Sequence, residues 1–472
     1  MSTALYYAVV DQGSSATKAA LCDTSGRIFF EGSEATARSI REGRVELDAE
    51  SVADSVERLL DHAIAGGPVG AIGLTCQRST CLVWDRESGQ ALTPALSWQD
   101  TSQTARTEAL ARHADDVARR TGLRLSPHYA ATKLARLLSE VPDGPARAAQ
   151  GELVAGTLDA FLMHRLTGSP ATEPGHAGRT LLYGLRQGNW DPELCKLFGI
   201  PLGALPTLRT SAGYWGTYRG IPVCAGAGDQ QAALVGHGGW REGIVAVHFG
   251  TGAFVLAATG PRIQRHAGLL SAVMASTEGG RRFQLEGSVN SAGSAVEWAS
   301  RLTGETLAGW EDRELVPERL PWVVPAFAGL GAPWWQPRAR GFVRGLSVAT
   351  RGADLVGGVL FGVAMRVVDN LEAMAEAGTR PAVVRVSGKL TRLAGLVDLV
   401  ADASGVPVEV ALHEEAGLAG ICRLAAAGLA GDEALLSLEP SVARRRDPRW
   451  SADRVREIRD AWRALVRAAA AS

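Results

Sequence analysis

The chain has 472 residues, long enough for two domains that each bury a core of their own. Hydrophobic residues make up 46% and charged residues 21%, the balance of a globular protein in water and not of a disordered or fibrous chain. A formal net charge of -1 gives no electrostatic case for a nucleic-acid or anionic-membrane partner, so a charged ligand has to be held locally.

The N-terminus runs straight into an apolar strand, Tyr6 to Val10, with no leader-like segment, and no stretch approaches membrane-spanning length. The expected compartment is therefore the cytoplasm. YYAVVDQGSSATKAALCD (6–23) reads as two apolar strands around a Gly-Ser tip, a β-hairpin. DAESVADSVERLLDHAIA (48–65) places Val52, Val56, Leu59, Leu60 and Ala63 at helical spacing, with Asp48 as the cap. AIGLT (71–75) is a strand leading into CQRSTCLVWD. CAGAGDQQAALVG (224–236) puts one carboxylate, Asp229, between a run of small residues and the first turn of an apolar helix. GIVAVHFGTGAFVLAATG (243–260) then echoes the first hairpin, and duplicated hairpins suggest duplicated domains. The Gly-rich GHGGWREG between them sets the expected boundary: an N-terminal domain over 1–236 and a C-terminal domain over 237–472. In the second half, 349–374 reads as a long buried helix, 383–389 as a strand with a glycine turn, and 397–410 as helix, turn and strand. The C-terminal stretch 451–468 is an amphipathic helix presenting Val455, Ile458, Trp462 and Leu465. Its arginines and the run Arg444 to Arg446 read as a solvated face. Alternating strands and helices predict an α/β fold with enclosed sheets.

The six cysteines (Cys22, Cys76, Cys81, Cys195, Cys224, Cys422) form no CxxC pair and read as small buried hydrophobes. Only four of the 49 basic residues are lysine, Lys18, Lys133, Lys196 and Lys389, so each is a candidate for a positional role. Neither a Walker A loop nor a GxGxxG fingerprint is present. Ser15 to Lys18 has the SxxK spacing of penicillin-recognising enzymes, but SDN and KTG are missing, as are HExxH and GxSxG. What remains is a strand ending in Asp11, followed by Gln12, Gly13, Ser14 and Ser15, and a second tip, Gly250, Thr251 and Gly252. Glycine tips let successive backbone N–H groups point at an anion, and hydroxyls add donors. Two such tips could grip a polyphosphate, with Asp11 holding the hydrated Mg²⁺ that comes with it.

These residues resemble the FGGY carbohydrate kinases, the glycerol kinases among them most closely. The resemblance is carried by DQGSSATK (11–18), GLTCQRSTCLVWDRESGQ (73–90), SWQD (97–100), SPHYAATKLARLL (126–138), HAGRTLLYGLRQGNWDPELCKLFGIP (176–201), AGAGDQQAALVG (225–236), FGTGAF (249–254), LEGSV (285–289) and VPAFAGLGAPWW (324–335), in order along the chain. It implies two RNase H-like domains of the actin-like ATPase fold, with ATP and Mg²⁺ meeting a small polyol or sugar in a cleft between them. Asp229 would be the catalytic base and Asp11 the metal ligand. Gly13, Ser14, Ser15, Lys18, Gly250, Thr251, Gly252, Gly388 and Lys389 would hold the nucleotide.

On the acceptor side the resemblance implies Arg78, Trp98, Asp229 and Gln230. Ser79 replaces a glutamate of glycerol kinases, Asn290 a phenylalanine, and an ungapped match sets His128 at a tyrosine position with Tyr129 beside it. A hydroxyl-reading site depends on matched polar partners, so the expected acceptor is a polyol, ketose or other small sugar distinct from glycerol. The usual Asp-Gly-Gly turn near adenine is here Ser387, Gly388, Lys389, with Leu393 near the expected asparagine. This departure motivates an alternative, a degenerate kinase fold that binds sugar or nucleotide for regulation. A third reading, an actin-like or chaperone ATPase, would hydrolyse ATP without an acceptor. Homo-oligomerisation stays open.

Overall fold

Both hairpins form as the sequence predicts, and each founds a sheet. The structure, a computed structural model, describes residues 5–41, 43–412 and 415–471. In the N-terminal half, strands Tyr6–Gln12, Ala16–Cys22 and Ile28–Ala35 run antiparallel, while Val69–Cys76 and then Ile221–Gly228 add parallel to the first. Ala212–Tyr218 closes the far edge of this six-stranded sheet. In the C-terminal half the pattern recurs. Ile244–Phe249, Ala253–Gly260 and Gly280–Val289 are antiparallel, and Val383–Ser387 and Val408–Ala411 add parallel to the first. Leu270–Thr277 and Val442–Arg446 complete seven strands. A five-stranded sheet built around Cys81–Asp85 and Leu153–Thr157 extends the N-terminal half.

The helices follow their apolar spacing. Ala49–Ala65 is capped by Asp48, whose side chain accepts from the Glu50 and Ser51 N–H groups. Gly352–Glu376 and Ala394–Ser404 fill the C-terminal core, and Ala452–Ala471 seats Ile458, Trp462 and Leu465 on it. All six cysteines are free and buried. Among the described residues no helix is long and apolar enough to cross a membrane.

Two features add to the sequence reading. Arg444 to Arg446 lie on an edge strand, Arg445 exposed and the other two half-buried. Arg446 pairs with Asp398 at 2.9 Å, Arg445 with Glu409 and Asp447, and Arg444 donates to the Thr391 carbonyl, so the charges guard a sheet edge and tie it to its neighbours. The other is the helix Ala416–Ala430, which comes late in the chain yet packs on the N-terminal strands Val69–Cys76 and Ile221–Gly228 and on the helix Asp229–Gly236. A single apolar cluster runs from Tyr7, Val9 and Ala20 through these two helices to Ala246, Leu256 and Met274 of the C-terminal sheet. The halves thus share packed helices where they meet.

Candidate active site

Register brings the candidate residues to one sheet edge. In the N-terminal sheet Gln12 lies opposite Cys76, and Cys76 opposite Gly228, so three parallel strands end at one level. Asp11 and the first tip, Gln77 and Arg78, and Asp229 all emerge there, at the carboxyl ends where open α/β sheets bind ligands. The C-terminal sheet repeats this. His248 is level with Ser387, its Nδ1 3.1 Å from the Ser387 hydroxyl, so the second tip and Gly388 leave adjacent strands together. Gly388 has φ +97°, and a Cβ there would meet the Phe249 carbonyl at 2.2 Å, so only glycine fits.

Asp229 opens the helix Asp229–Gly236. Its Oδ1 accepts from the Gln230 N–H at 2.8 Å and sits 3.2 Å from Arg78 Nε, while Gln230 Nε2 lies 3.4 Å from Oδ2. The small residues before it have a packing cause. A Cβ on Gly226 would press the Trp215 ring, and one on Gly228 would lie 3.0 Å from the Arg78 stem.

The Arg78 side chain is only 9% exposed and also binds Glu286 of the C-terminal half, at 2.7 Å from Nη1 and 3.3 Å from Nη2. Arg179 binds the same Glu286 oxygen. Burial alone would raise the Glu286 carboxyl, but the two guanidiniums outweigh it and hold it down to about 2. Tyr129 is buried beside these charges, and burial raises its phenol above the usual range. The Phe254 ring lies 5.8 Å from the Arg78 guanidinium carbon.

Two acceptor-side candidates, His128 and Asn290, have side chains engaged with backbone carbonyls. His128 is exposed, its Nδ1 3.1 Å from the Trp98 carbonyl, and its neighbour Tyr129 is the residue beside Arg78 and Glu286. Asn290 donates to the Ala328 carbonyl at 3.0 Å next to the second tip, and the Phe254 ring lies near Arg78. Ser79 is buried at φ +67°, its hydroxyl 3.5 Å from the Arg179 carbonyl. Trp98 is half-buried, whereas Trp334 and Trp335 pack against the cores.

On the nucleotide side, Gly13 N–H bonds the Ala16 carbonyl and leaves Ser14 half-buried and Ser15 exposed at the first tip. Gly250 N–H bonds Gly252 O at 2.8 Å, and the Thr251 carbonyl accepts from Ala292 and Ser294, which anchors the second tip to the helix Gly293–Thr303. Lys389 is exposed at the start of a single helical turn, and Leu393 is buried in the apolar core. Asp11 Oδ1 is buried with no hydrogen-bond partner. Burial first, then the negative charges of Asp229 and Glu415, push the Asp11 carboxyl up to about 7 against the opposing Lys18. Lys18 pairs with Glu415 at 2.5 Å. An orphaned oxygen among acids suits a cation such as Mg²⁺, which favours one or two carboxylates plus water.

Arg179, Glu286 and Phe254 lie inside motifs quoted above, yet no role attached to them from sequence. A carboxylate within the apolar strand LEGSV was the one signal, since a buried charge needs a partner.

Comparison with known proteins accounts for this arrangement. The model of the FGGY family of carbohydrate kinases, N-terminal domain, matches residues 6–236, and that of the C-terminal domain matches 245–429. The chain is 36% identical over 446 residues to a glycerol kinase of Alcanivorax borkumensis, covering 90% of each chain. It is 38% identical over 425 residues to a glycerol kinase of Methylobacterium nodulans, covering 85% of each. Among solved structures, the Plasmodium falciparum glycerol kinase with ADP superposes with a TM-score of 0.90 at 23% identity, over 99% of both chains. A ligand-bound xylulose kinase from Lactobacillus acidophilus gives 0.87 at 20% identity, again over 99% of both. The two mixed α/β sheets are those of an actin-like ATPase fold, and the chain belongs to the FGGY family of carbohydrate kinases.

Proposed function

We propose that this carbohydrate kinase transfers the γ-phosphoryl group of ATP to a hydroxyl of a small polyol or sugar, with Asp229 as the base that takes the hydroxyl proton. The observation that carries the reading is the placement of Asp229. Its Oδ1 is fixed by Arg78 and the Gln230 N–H, which leaves Oδ2 with the single long contact to Gln230 Nε2. A base held this way can meet an acceptor lying among Arg78, Trp98, Tyr129, Gln230 and Phe254.

Asp11 would hold Mg²⁺, which when bound supplies charge neutralisation on the phosphates. The chain's own part is positioning, which is most of what phosphoryl transfer asks of a protein. Gly13 and Gly250, whose own N–H groups close the two turns, would let the N–H groups of Ser14, Ser15, Thr251 and Gly252 and the three hydroxyls cradle the phosphates, and Gly388 with Lys389 would border the adenine. The matching strand order in the two sheets, three antiparallel strands followed by two parallel to the first, supports an RNase H-like assignment for both halves. We divide the chain at 236/237, with Ala416–Ala430 returning to the N-terminal sheet.

Ser79 in place of the family's glutamate removes one hydroxyl acceptor, and we infer an acceptor other than glycerol. The test is an ADP-release screen over polyols, ketoses and aldoses. Turnover on one acceptor should fall by about 10² to 10⁴ in Asp229→Asn while ATP binding persists. Silence across the panel with intact ATP binding would instead favour a regulatory binding protein. Efficient glycerol turnover would overturn the inference from Ser79.

A further inference from the structure

Lys133 is fully buried on the helix Ala130–Glu140, and no step above uses it. Its ammonium donates to the carbonyls of Ser79 at 3.0 Å, Ser97 at 2.9 Å and His128 at 3.0 Å. An ammonium has three N–H donors, and all three are engaged. The carbonyls belong to three separate segments, and each adjoins an acceptor-side residue. Arg78 precedes Ser79, Trp98 follows Ser97, and Tyr129 follows His128.

The geometry at Ser79 makes the attachment consequential. A serine at φ +67° occupies a region that side chains other than glycine adopt only when the surroundings hold them there. The peptide carbonyl at this reversed position is bound by Lys133, while the preceding residue, Arg78, reaches Asp229 and Glu286. Thr80 adds a second tie, its hydroxyl accepting from the Trp98 N–H at 3.1 Å and donating to Gln77 at 3.0 Å. An apolar side chain of equal length would take one donor from each carbonyl: Ser79 and Ser97 lie buried, Ser97 keeping only the Asp100 N–H, and the three segments would lose their common tie.

We propose that Lys133 is a positioning residue for the acceptor: one ammonium sets the relative placement of Arg78, Trp98 and Tyr129. This rests on the acceptor site described above. Binding of ATP is expected to be indifferent to Lys133, because none of its three partners lies on a phosphate tip or at Gly388.

The experiment compares full-length wild type, Lys133→Met and Lys133→Gln, using the acceptor found in the screen. In Lys133→Met the KM for the acceptor should rise by about tenfold or more with the KM for ATP unchanged, and Lys133→Gln, which keeps two donors, should fall between. Equal shifts in both KM values, or none, would overturn the proposal. Hydrogen exchange of the unliganded proteins supplies a second readout that needs neither an acceptor nor a stable methionine variant. Segments 77–80, 97–99 and 126–129 should all exchange faster in Lys133→Gln, and loosening of only one of them would also overturn it. Asp229→Asn run in parallel separates the cases. A wild type inactive on every acceptor defeats the kinase reading, whereas an active wild type with an unaffected Lys133→Gln defeats only the role of Lys133.

Discussion

At the scale of single residues, Glu286 is the charge that ties two cations together. Both its oxygens are committed to buried guanidiniums, Arg78 and Arg179, and Arg78 in turn steadies Asp229. Glu286→Gln keeps the shape but leaves two buried cations with one carboxylate fewer, and breaking a buried pair by removing one partner costs about 3–5 kcal/mol. Urea unfolding at pH 7 should show a loss of that order, along with weaker turnover because Arg78 is no longer aimed. A variant as stable as wild type would show that water or the remaining contacts satisfy the guanidiniums. Glu286 also marks the limit of what the sequence discloses. Asp11 and Asp229 could be singled out because each lies at the end of a strand beside small residues, and Arg78 through the family resemblance. Glu286, Arg179 and Phe254 could not, because their roles come from segments that meet only in the folded chain. Tyr129 and His128 differ by one position on entry to a helix, where a single step turns a side chain from the core to solvent.

At the scale of elements, Asp229 depends on two helices that touch backbone to backbone. A Cβ on Gly236 would lie 2.0 Å from the Ala416 carbonyl, and one on Gly420 would lie 1.8 Å from that of Ala232. Gly420→Ala therefore has to push the helix Asp229–Gly236 away, and overpacking of this kind costs about 1–3 kcal/mol. Since Asp229 begins the displaced helix, kcat should fall while the variant stays folded. Leu429→Ala, on the exposed side of the same helix, should leave kcat unchanged. Steady-state kinetics with a thermal melt checks both. Apolar spacing and caps disclosed the elements themselves, as with Asp48 and the long helix before Glu376. Their partners were hidden. Nothing local in AGLAGICRLAAAGLA says that it packs on the strands Val69–Cys76 and Ile221–Gly228, and Lys18 meets Glu415 across 397 positions.

At the scale of the whole molecule, the turn that follows Gly236 links the two sheets, and His237 lies buried within it. Arg385 donates to the His237 carbonyl at 2.5 Å and Arg423 to that of Gly236 at 3.1 Å, so two cations are fixed beside the imidazole. Burial first, then Arg385, His248 and Arg423, lower its pKa to about 3. In the unfolded chain the same ring takes a proton near pH 6.5. Between those values the unfolded state binds the extra proton, so this group withdraws stability as pH falls below about 6.5 and continues to do so down to about 3. At pH 5 the loss amounts to about 2 kcal/mol, from one and a half pH units at 1.36 kcal/mol each. Other groups titrate in the same range, so the informative quantity is the difference between wild type and His237→Asn. Urea unfolding of both at pH 7.5 and pH 5.0 should bring the two stabilities about 2 kcal/mol closer, in favour of the variant, at the lower pH. Parallel losses in the two proteins would mean that His237 is already protonated in the fold, and that the joint between the sheets tolerates a third positive charge.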